Sequence, residues 1–161
     1  MHAHALETCL PFIHPAARIL DIGSGSGYLT HCFTNLLGPG GKVVGVDHIP
    51  ALVSLAKRNI AKSAEGRALL ESGKVEFVQG DGRLGYGGEE EWDVVHVGAA
   101  AAEVGEGLLR GLKRRGRMFV PVGEAGGDQW IWVIDKGVDG KVERRREWGV
   151  RFVPLTDAPG G

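Results

Sequence analysis

The fold of this chain is decided by the stretch from Arg18 to Thr30, which reads Arg-Ile-Leu-Asp-Ile-Gly-Ser-Gly-Ser-Gly-Tyr-Leu-Thr. Its apolar beginning predicts a buried β-strand, and the apolar residues that follow the glycines recur at helical spacing. The glycines predict a sharp turn at which a ligand can approach backbone N–H groups without meeting a Cβ atom. Strand, glycine turn and helix form the opening unit of nucleotide-binding α/β folds. We therefore predict an α/β protein with a ligand site at this turn.

The spacing of the glycines narrows the choice of ligand. The dinucleotide fingerprint is Gly-x-Gly-x-x-Gly, whereas Gly23, Gly25 and Gly27 alternate, and Asp21 precedes the first of them by two residues. This pattern is typical of S-adenosylmethionine (SAM) sites, where the turn passes under the methionine part and the acid can meet the cationic amino group. Ser24 lies in the loop and joins the predicted site. A plain connecting turn is the alternative interpretation.

Two further acids follow predicted strands. Asp47 ends a strand at the carboxyl edge of the expected sheet, where an acid can accept both ribose hydroxyls. The alternative is a helix cap, and the two roles are compatible. His48 either flanks the adenine or only covers it. Asp81 and Gly82 follow the next strand and can bind the adenine amino group and a ring nitrogen, although Gly-Asp-Gly is also good turn sequence.

Composition bounds the class of protein. A chain of 161 residues with 43% hydrophobic and 24% charged residues predicts a single globular domain over residues 1–161. A formal net charge of −1 predicts no general affinity for nucleic acid or membrane. We find neither a long apolar run nor a secretory signal, so we expect a cytoplasmic protein, and we expect it to be a monomer. The two cysteines show no metal-ligand spacing, and no metal is predicted.

Four further predictions concern single residues or short runs of residues. Residues 51 to about 70 follow a helical pattern, in which Gly66 indicates either a break or a second short helix. The cations at residues 113–115 are expected at the C-terminus of a helix, where they suit the macrodipole. Pro121 indicates an edge or a bulge in the fifth strand. His96, in the fourth strand, is interpreted as a satisfied core histidine rather than a catalyst.

Five strands that alternate with helices and end in a hairpin resemble the outline of the SAM-dependent methyltransferase fold. That outline is a Rossmann-like α/β fold with a mostly parallel seven-stranded sheet, a final antiparallel hairpin and helices on both faces. Several blocks are more specific than the glycine loop and resemble the protein-L-isoaspartate O-methyltransferase family. They are residues 1–3, 20–27, 45–49, 78–83, 96–101, 120–123 and 153–157.

The resemblance implies methyl transfer from SAM to the α-carboxylate of L-isoaspartyl residues in damaged peptides and proteins. The ester then collapses to a succinimide, which hydrolyses partly to normal aspartate. The resemblance implies that Asp21 and the glycine loop line the cofactor pocket and that Asp47 binds the ribose. It also implies that Asp81 and Gly82 bind the adenine and that His2 and Thr156 complete the site. A carboxylate nucleophile is already ionised at neutral pH, so no general base is assigned.

The chain departs from the family pattern at both ends. The family's Thr-Ile-Ser-Ala-Pro-His stretch, whose hydroxyl residue is regarded as the active-site residue, has no counterpart here, and neither has its C-terminal helical tail. We therefore expect no catalytic residue within residues 1–161, weakened SAM binding, and methyl transfer that is severely reduced or absent. The alternatives are a non-catalytic SAM-binding module and a methyltransferase of another substrate class. A nucleotide dehydrogenase is disfavoured by the glycine spacing.

Overall fold

A computed structural model describes residues 2–88, 91–124 and 126–155. Within them, the strands are β1 (Arg18–Ile22), β2 (Lys42–Asp47), β3 (Val75–Gln79), β4 (Trp92–Val97), β5 (Leu112–Val122), β6 (Gln129–Lys136) and β7 (Val142–Val150). The α-helices are α1 (His2–Cys9), α2 (Tyr28–Asn35), α3 (Pro50–Ile60), α4 (Ala64–Glu71) and α5 (Glu106–Gly111). Short 3-10 helices cover Leu10–Phe12 and Gly82–Leu84.

The strands form one sheet in the order β3-β2-β1-β4-β5-β6-β7. The first five strands pair in parallel, and β6 and β7 add to β5 as an antiparallel meander. The predicted fold class is therefore confirmed, and the order of the last two strands is now known. No helix of the described residues is long and apolar enough to cross a membrane.

Side chains of β1 alternate between two cores, one on each face of the sheet. Ile19 packs in a core with Cys9 of α1 and Phe33 of α2. Leu20 belongs to the opposite core, with Leu108 of α5. Because helices cover both faces, all six residues of β4 are buried, as is typical of a central parallel strand. By the same alternation, Asp21 faces the side of α2, and this places it in the site described below.

Of the two alternatives for Gly66, the second short helix is confirmed: Gly66 lies in α4 and not at the break itself. The break lies at residues 61–63, and Ser63 caps α4 by accepting a hydrogen bond from the Gly66 N–H at 2.9 Å. Gly66 lies inside α4, where a Cβ atom would stand 1.9 Å from the carbonyl oxygen of Ile60. The glycine is therefore needed for the close approach of α4 to the end of α3, not for chain reversal.

Two predictions about β5 are wrong. Residues 113–115 belong to β5 rather than to a helix C-terminus, because α5 ends at Gly111 and the strand starts at Leu112. Pro121 is not on an edge strand, since β5 lies between β4 and β6. The last β5 residue paired with β4 is Phe119, so the missing N–H of Pro121 removes no hydrogen bond from that parallel ladder.

Candidate cofactor site

The residues singled out in the sequence converge at one edge of the sheet. The strands β1, β2, β3 and β4 are parallel, so their carboxyl ends meet there. The glycine loop leaves β1 with φ values of +74° at Gly23, +51° at Gly25 and +81° at Gly27. Only glycine adopts this left-handed region without a steric cost, so the alternation of glycines is a requirement of the turn.

The loop is fastened to β2 by hydrogen bonds. The N–H groups of Gly23 and Ser24 donate to the Val46 carbonyl oxygen at 2.8 and 3.2 Å. The Gly25 N–H donates to Oδ2 of Asp47 at 3.0 Å. Asp47 therefore connects the end of β2 to the middle of the loop, and its position and that of the loop depend on each other.

Asp47 also holds the start of α3. Its Oδ1 accepts a hydrogen bond from the Ile49 N–H at 3.0 Å, and the Nδ1 atom of His48 lies 3.6 Å away. The side chain is 5% exposed. An ionised carboxylate has about four lone-pair positions, so the two backbone contacts leave room for two more donors. The capping interaction is thus present, and it is compatible with the predicted contact to ribose hydroxyls.

Asp21 is the most deeply buried acid of the site, at 1% exposure. Its Oδ2 accepts a hydrogen bond from the Thr30 hydroxyl at 2.6 Å, and its Oδ1 lies 2.7 Å from Nδ1 of His96. The carboxylate therefore links β1 to α2 and to β4. His96 is buried and hydrogen-bonded, as the interpretation as a core histidine requires. The direct contact of Asp21 with a cofactor amino group stays a prediction.

A cavity of about 180 Å³ opens beside this buried cluster. Its lining includes His2, Asp21, Ser24, His96, Phe119 and Phe152. The hydroxyl of Ser24 is buried and makes no hydrogen bond within the described part of the chain. A buried polar atom without a partner is costly, so this hydroxyl indicates a site for a polar ligand group.

A second, narrower hollow lies on the far side of the loop, between Asp47, His48 and Gly82. Gly23 lines both hollows, so they are adjacent, and together they are called the cleft. At Gly82 a Cβ atom would stand 2.2 Å from Cγ2 of the buried Ile22, and only glycine therefore fits this floor.

The carboxylate of Asp81 is held by its neighbour Arg83. The Nη2 and Nε atoms of Arg83 contact Asp81 at 2.6 and 2.9 Å. These hydrogen bonds hold the pKa of Asp81 below its usual value, so the group is an acceptor at neutral pH. The side chain remains 37% exposed and available to a further donor, such as the predicted adenine amino group.

Residues 151–155 lie across the end of β4 and close one side of the cleft. The Ala100 N–H donates to the Val153 carbonyl at 2.9 Å, and the Leu155 N–H donates to the Ala100 carbonyl at 2.8 Å. Leu155 thereby lines the narrower hollow. Thr156, predicted to complete the site, lies outside the described residues.

Helix α1 brings His2 to the wider cavity, and Arg117 anchors the opposite end of that helix. The ring of His2 lies 5.5 Å from the ring of Tyr28. Arg117 donates to the Thr8 carbonyl at 2.9 Å and forms two hydrogen bonds with Asp135 at 2.7 and 2.6 Å. The N-terminal wall of the cavity therefore depends on a contact with β5 and β6.

Replacing Arg117 with alanine is expected to loosen α1 while the sheet stays folded. The loss of a charged donor to Thr8 and of the pair with Asp135 should cost about 1–3 kcal/mol. Hydrogen exchange of the α1 amides and urea unfolding measure the effect. The control is Arg145→Ala, which removes the exposed ion pair with Glu147 and should cost less than about 0.5 kcal/mol. Equal exchange of α1 in both variants would contradict the anchoring role.

Several of these contacts have little signal in the sequence. Phe119 and Phe152 line the site from elements outside the glycine motif, and the Thr30 hydroxyl, at the end of that motif, contacts Asp21. His96 lines the cavity as well as the core. The sequence signal that could have indicated His96 as a site residue is a histidine among Val94, Val95 and Val97 in a predicted buried strand.

The cysteines and the remaining acids suggest no other chemistry. Cys9 and Cys32 are unpaired, and burial raises the pKa of Cys9 to about 12, so its thiol stays protonated. In the part of the chain that the structure describes, no three His, Cys, Asp or Glu side chains are grouped so that they could hold a metal ion.

The sheet order and the strand-end site define the class: the fold is that of the Rossmann-like, SAM-dependent methyltransferases. Within that class, the model of the protein-L-isoaspartate(D-aspartate) O-methyltransferase family matches residues 1–160. The chain belongs to this family.

Individual relatives agree with this assignment. The chain is 46% identical over 156 residues to protein-L-isoaspartate O-methyltransferase of Triticum aestivum, an alignment that covers 97% of the chain and 66% of that protein. It is also 46% identical to protein-L-isoaspartate O-methyltransferase 2 of Arabidopsis thaliana, of which it covers 50%. The chain thus spans between half and about two thirds of the length of these curated relatives.

Solved structures show the same similarity. A crystal structure of a Plasmodium falciparum protein, described as a beta-aspartate methyltransferase (PCMT) in complex with S-adenosyl-L-homocysteine, superimposes with a TM-score of 0.87 at 28% sequence identity. The match covers 98% of this chain and 74% of that one. The resemblance stated from the sequence blocks is therefore confirmed.

Proposed function

We propose that this chain binds SAM and transfers its methyl group to the α-carboxylate of L-isoaspartyl residues in damaged proteins. The proposal rests on the hydrogen bond by which Asp47 of β2 holds the glycine loop. Beside this loop lies a cavity lined by Ser24, whose buried hydroxyl makes no hydrogen bond within the described residues. The names of the relatives support the isoaspartyl substrate.

The residues present fit the cofactor. Two free lone-pair positions on Asp47 suit the ribose hydroxyls, and the hollow lined by Gly82 and His48 is where the adenine ring would pack. Asp81 is an ionised acceptor at that end. The cavity with Ser24 at its wall suits the amino-acid end of the cofactor.

The reaction needs little proton transfer. When bound, SAM would supply a sulfonium methyl group for a carboxylate oxygen of the substrate, with the neutral thioether as the leaving group. The substrate carboxylate is ionised at neutral pH, so the chain supplies no base. Its residues contribute orientation of the two reactants and exclusion of water, the latter through Phe119, Phe152 and α1.

The proposal extends to the state of the protein. We propose one domain over residues 1–161 that acts as a monomer in the cytoplasm on isoaspartyl-containing peptides and proteins, without nucleic acid or membrane. A single continuous sheet supports one domain. A net charge of −1 supports the absence of a nucleic-acid or membrane partner. The unpaired cysteines are consistent with a reducing compartment.

Two peptides of identical sequence test the proposal, one with an L-isoaspartyl residue and one with aspartate at the same position. With SAM labelled in its methyl group, label is expected to enter the isoaspartyl peptide at least about tenfold faster than the aspartyl peptide. The reason is that the free carboxylate lies at a different position in the two peptides, and the site has to align it with the methyl group. Base-labile release of the label identifies the ester. SAM binding without transfer to either peptide would favour a non-catalytic module and would overturn the proposal. Equal labelling of both peptides would indicate another substrate class.

A further inference from the structure

We infer that His96 is a cofactor-binding residue, whose Nε2 atom accepts a hydrogen bond from the α-ammonium group at the amino-acid end of the cofactor. Asp21 is then a positioning residue that acts through the imidazole. The inference rests on the proposed function and deepens it, because it assigns the recognition of one ligand group to one atom.

The imidazole of His96 is fixed in place. Its Nδ1 lies 2.7 Å from Oδ1 of Asp21, a residue directly opposite it in the pairing of β1 with β4. The ring stacks on Phe119 at 5.7 Å with an interplanar angle of 19°, and the tilted ring of Phe33 lies 6.0 Å away. A side chain held at one edge and by two rings loses little entropy when a ligand binds.

The hydrogen bond to Asp21 also determines which atom of His96 can meet a ligand. An ionised carboxylate only accepts hydrogen bonds, so Nδ1 of His96 carries a proton. In the neutral form of the ring, which is assigned to the ligand-bound state, the Nε2 atom has a free lone pair. Because His96 lines the cavity and its Nδ1 is engaged, Nε2 is the polar ring atom that remains for a ligand.

Asp21 is less suited to meet the ammonium group directly. The residue is 1% exposed, against 5% for His96, and its two oxygens face Thr30 and His96. His96 relays the negative charge of Asp21 to the cavity, since the bond at Nδ1 makes the imidazole a better acceptor at Nε2. The hydroxyl of Ser24, buried and unbonded, is a donor on the same cavity wall for the neighbouring carboxylate.

The alternative explanation is that His96 has a structural role only and connects β4 to β1 through its hydrogen bond with Asp21. It accounts for the bond to Asp21, but it makes no prediction about the amino group of a ligand. The two explanations therefore differ in a measurable way, because only a binding role makes affinity depend on that amino group through His96.

The test uses the 161-residue chain, S-adenosylhomocysteine (SAH) and the analogue of SAH that lacks the amino group. In the wild type, loss of the amino group is expected to weaken binding roughly 10- to 100-fold, as for a hydrogen bond to a charged group. His96→Asn retains an amide N–H that can donate to Asp21 but has no atom at the Nε2 position. This variant should bind SAH as weakly as the wild type binds the deamino analogue, and its affinity for that analogue should be unchanged.

A second measurement needs no variant. The ¹⁵N resonance of Nε2 in wild-type His96 should shift when SAH is added and should stay unchanged with the deamino analogue. Equal weakening of both ligands in His96→Asn, or equal affinity of the wild type for both, would overturn the inference. Failure of the wild type to bind SAH at all would instead refute the proposed function, so the two failures are distinguishable.

Discussion

Replacing Asp47 with asparagine is expected to lower the affinity for SAH by a factor on the order of 100. The carboxylate accepts from the N–H groups of Gly25 and Ile49, and it is the proposed acceptor for the ribose hydroxyls. An asparagine amide turns a donor toward one of the two backbone N–H groups and removes the charge that strengthens the remaining bonds. The hydrogen bond that ties Gly25 to β2, or the one that ties Ile49 to Asp47, is then lost, while Gly23 and Ser24 still contact Val46. Calorimetric titration with SAH measures the loss.

The matched control for this variant is Asp139→Asn. Asp139 lies in the turn between β6 and β7, where its Oδ1 accepts a hydrogen bond from the Lys141 N–H at 3.0 Å, two residues further along the chain. This local contact resembles that between Asp47 and Ile49, but it is exposed and belongs to a different part of the fold. The control should bind SAH like the wild type. Wild-type affinity in Asp47→Asn would contradict the role of Asp47.

Replacing Gly82 with alanine is expected to destabilise the chain by about 1–3 kcal/mol and to abolish measurable SAH binding. The new methyl group would stand 2.2 Å from Cγ2 of Ile22, which is 1% exposed in the core. The side chain of Ile22 is β-branched and tightly packed, so it cannot change its rotamer to make room. The short 3-10 helix that starts at Gly82 must therefore move. That movement would push the chain into the hollow proposed for the adenine.

Gly80→Ala provides the comparison, since it is the same substitution two residues earlier in the same loop. There the nearest atom to a new Cβ is Cγ1 of Val46 at 3.5 Å, an ordinary van der Waals contact. This variant should keep both its stability and its affinity for SAH. Chemical denaturation and SAH titration on the two variants separate the steric effect from a general intolerance of the loop to side chains. Equal behaviour of the two variants would contradict the adenine placement.

The sequence was most informative where the determinants are local. The path from β1 through the glycine loop to α2 was predicted because the apolar run, the turn residues and the helical spacing lie within thirteen consecutive residues. Asp47 and Asp81 were placed at strand ends for the same reason. The family resemblance then extended the interpretation to residues 153–157, of which residues 153–155 do contact the end of β4 and the cleft.

Errors and omissions arose where tertiary contacts decide. Gly66 is a usual sign of a helix break, but its role depends on the carbonyl of Ile60 in another helix. The bond between Asp21 and His96 joins residues 75 positions apart and follows from the parallel pairing of β1 with β4. Neither contact has a signature in local composition, because strand register across a crossover is set by the packed sheet.

The position of bound SAH tests the central claim most directly, namely that the cleft at the carboxyl ends of β1 to β4 holds the cofactor. A crystal structure of the chain with SAH should show the ribose hydroxyls within hydrogen-bond distance of Asp47 and the adenine over Gly82. The chain also has a larger concavity, of about 690 Å³, between residues 126–130 and 149–152. Density for SAH in that concavity, with none beside Asp47, would contradict the account.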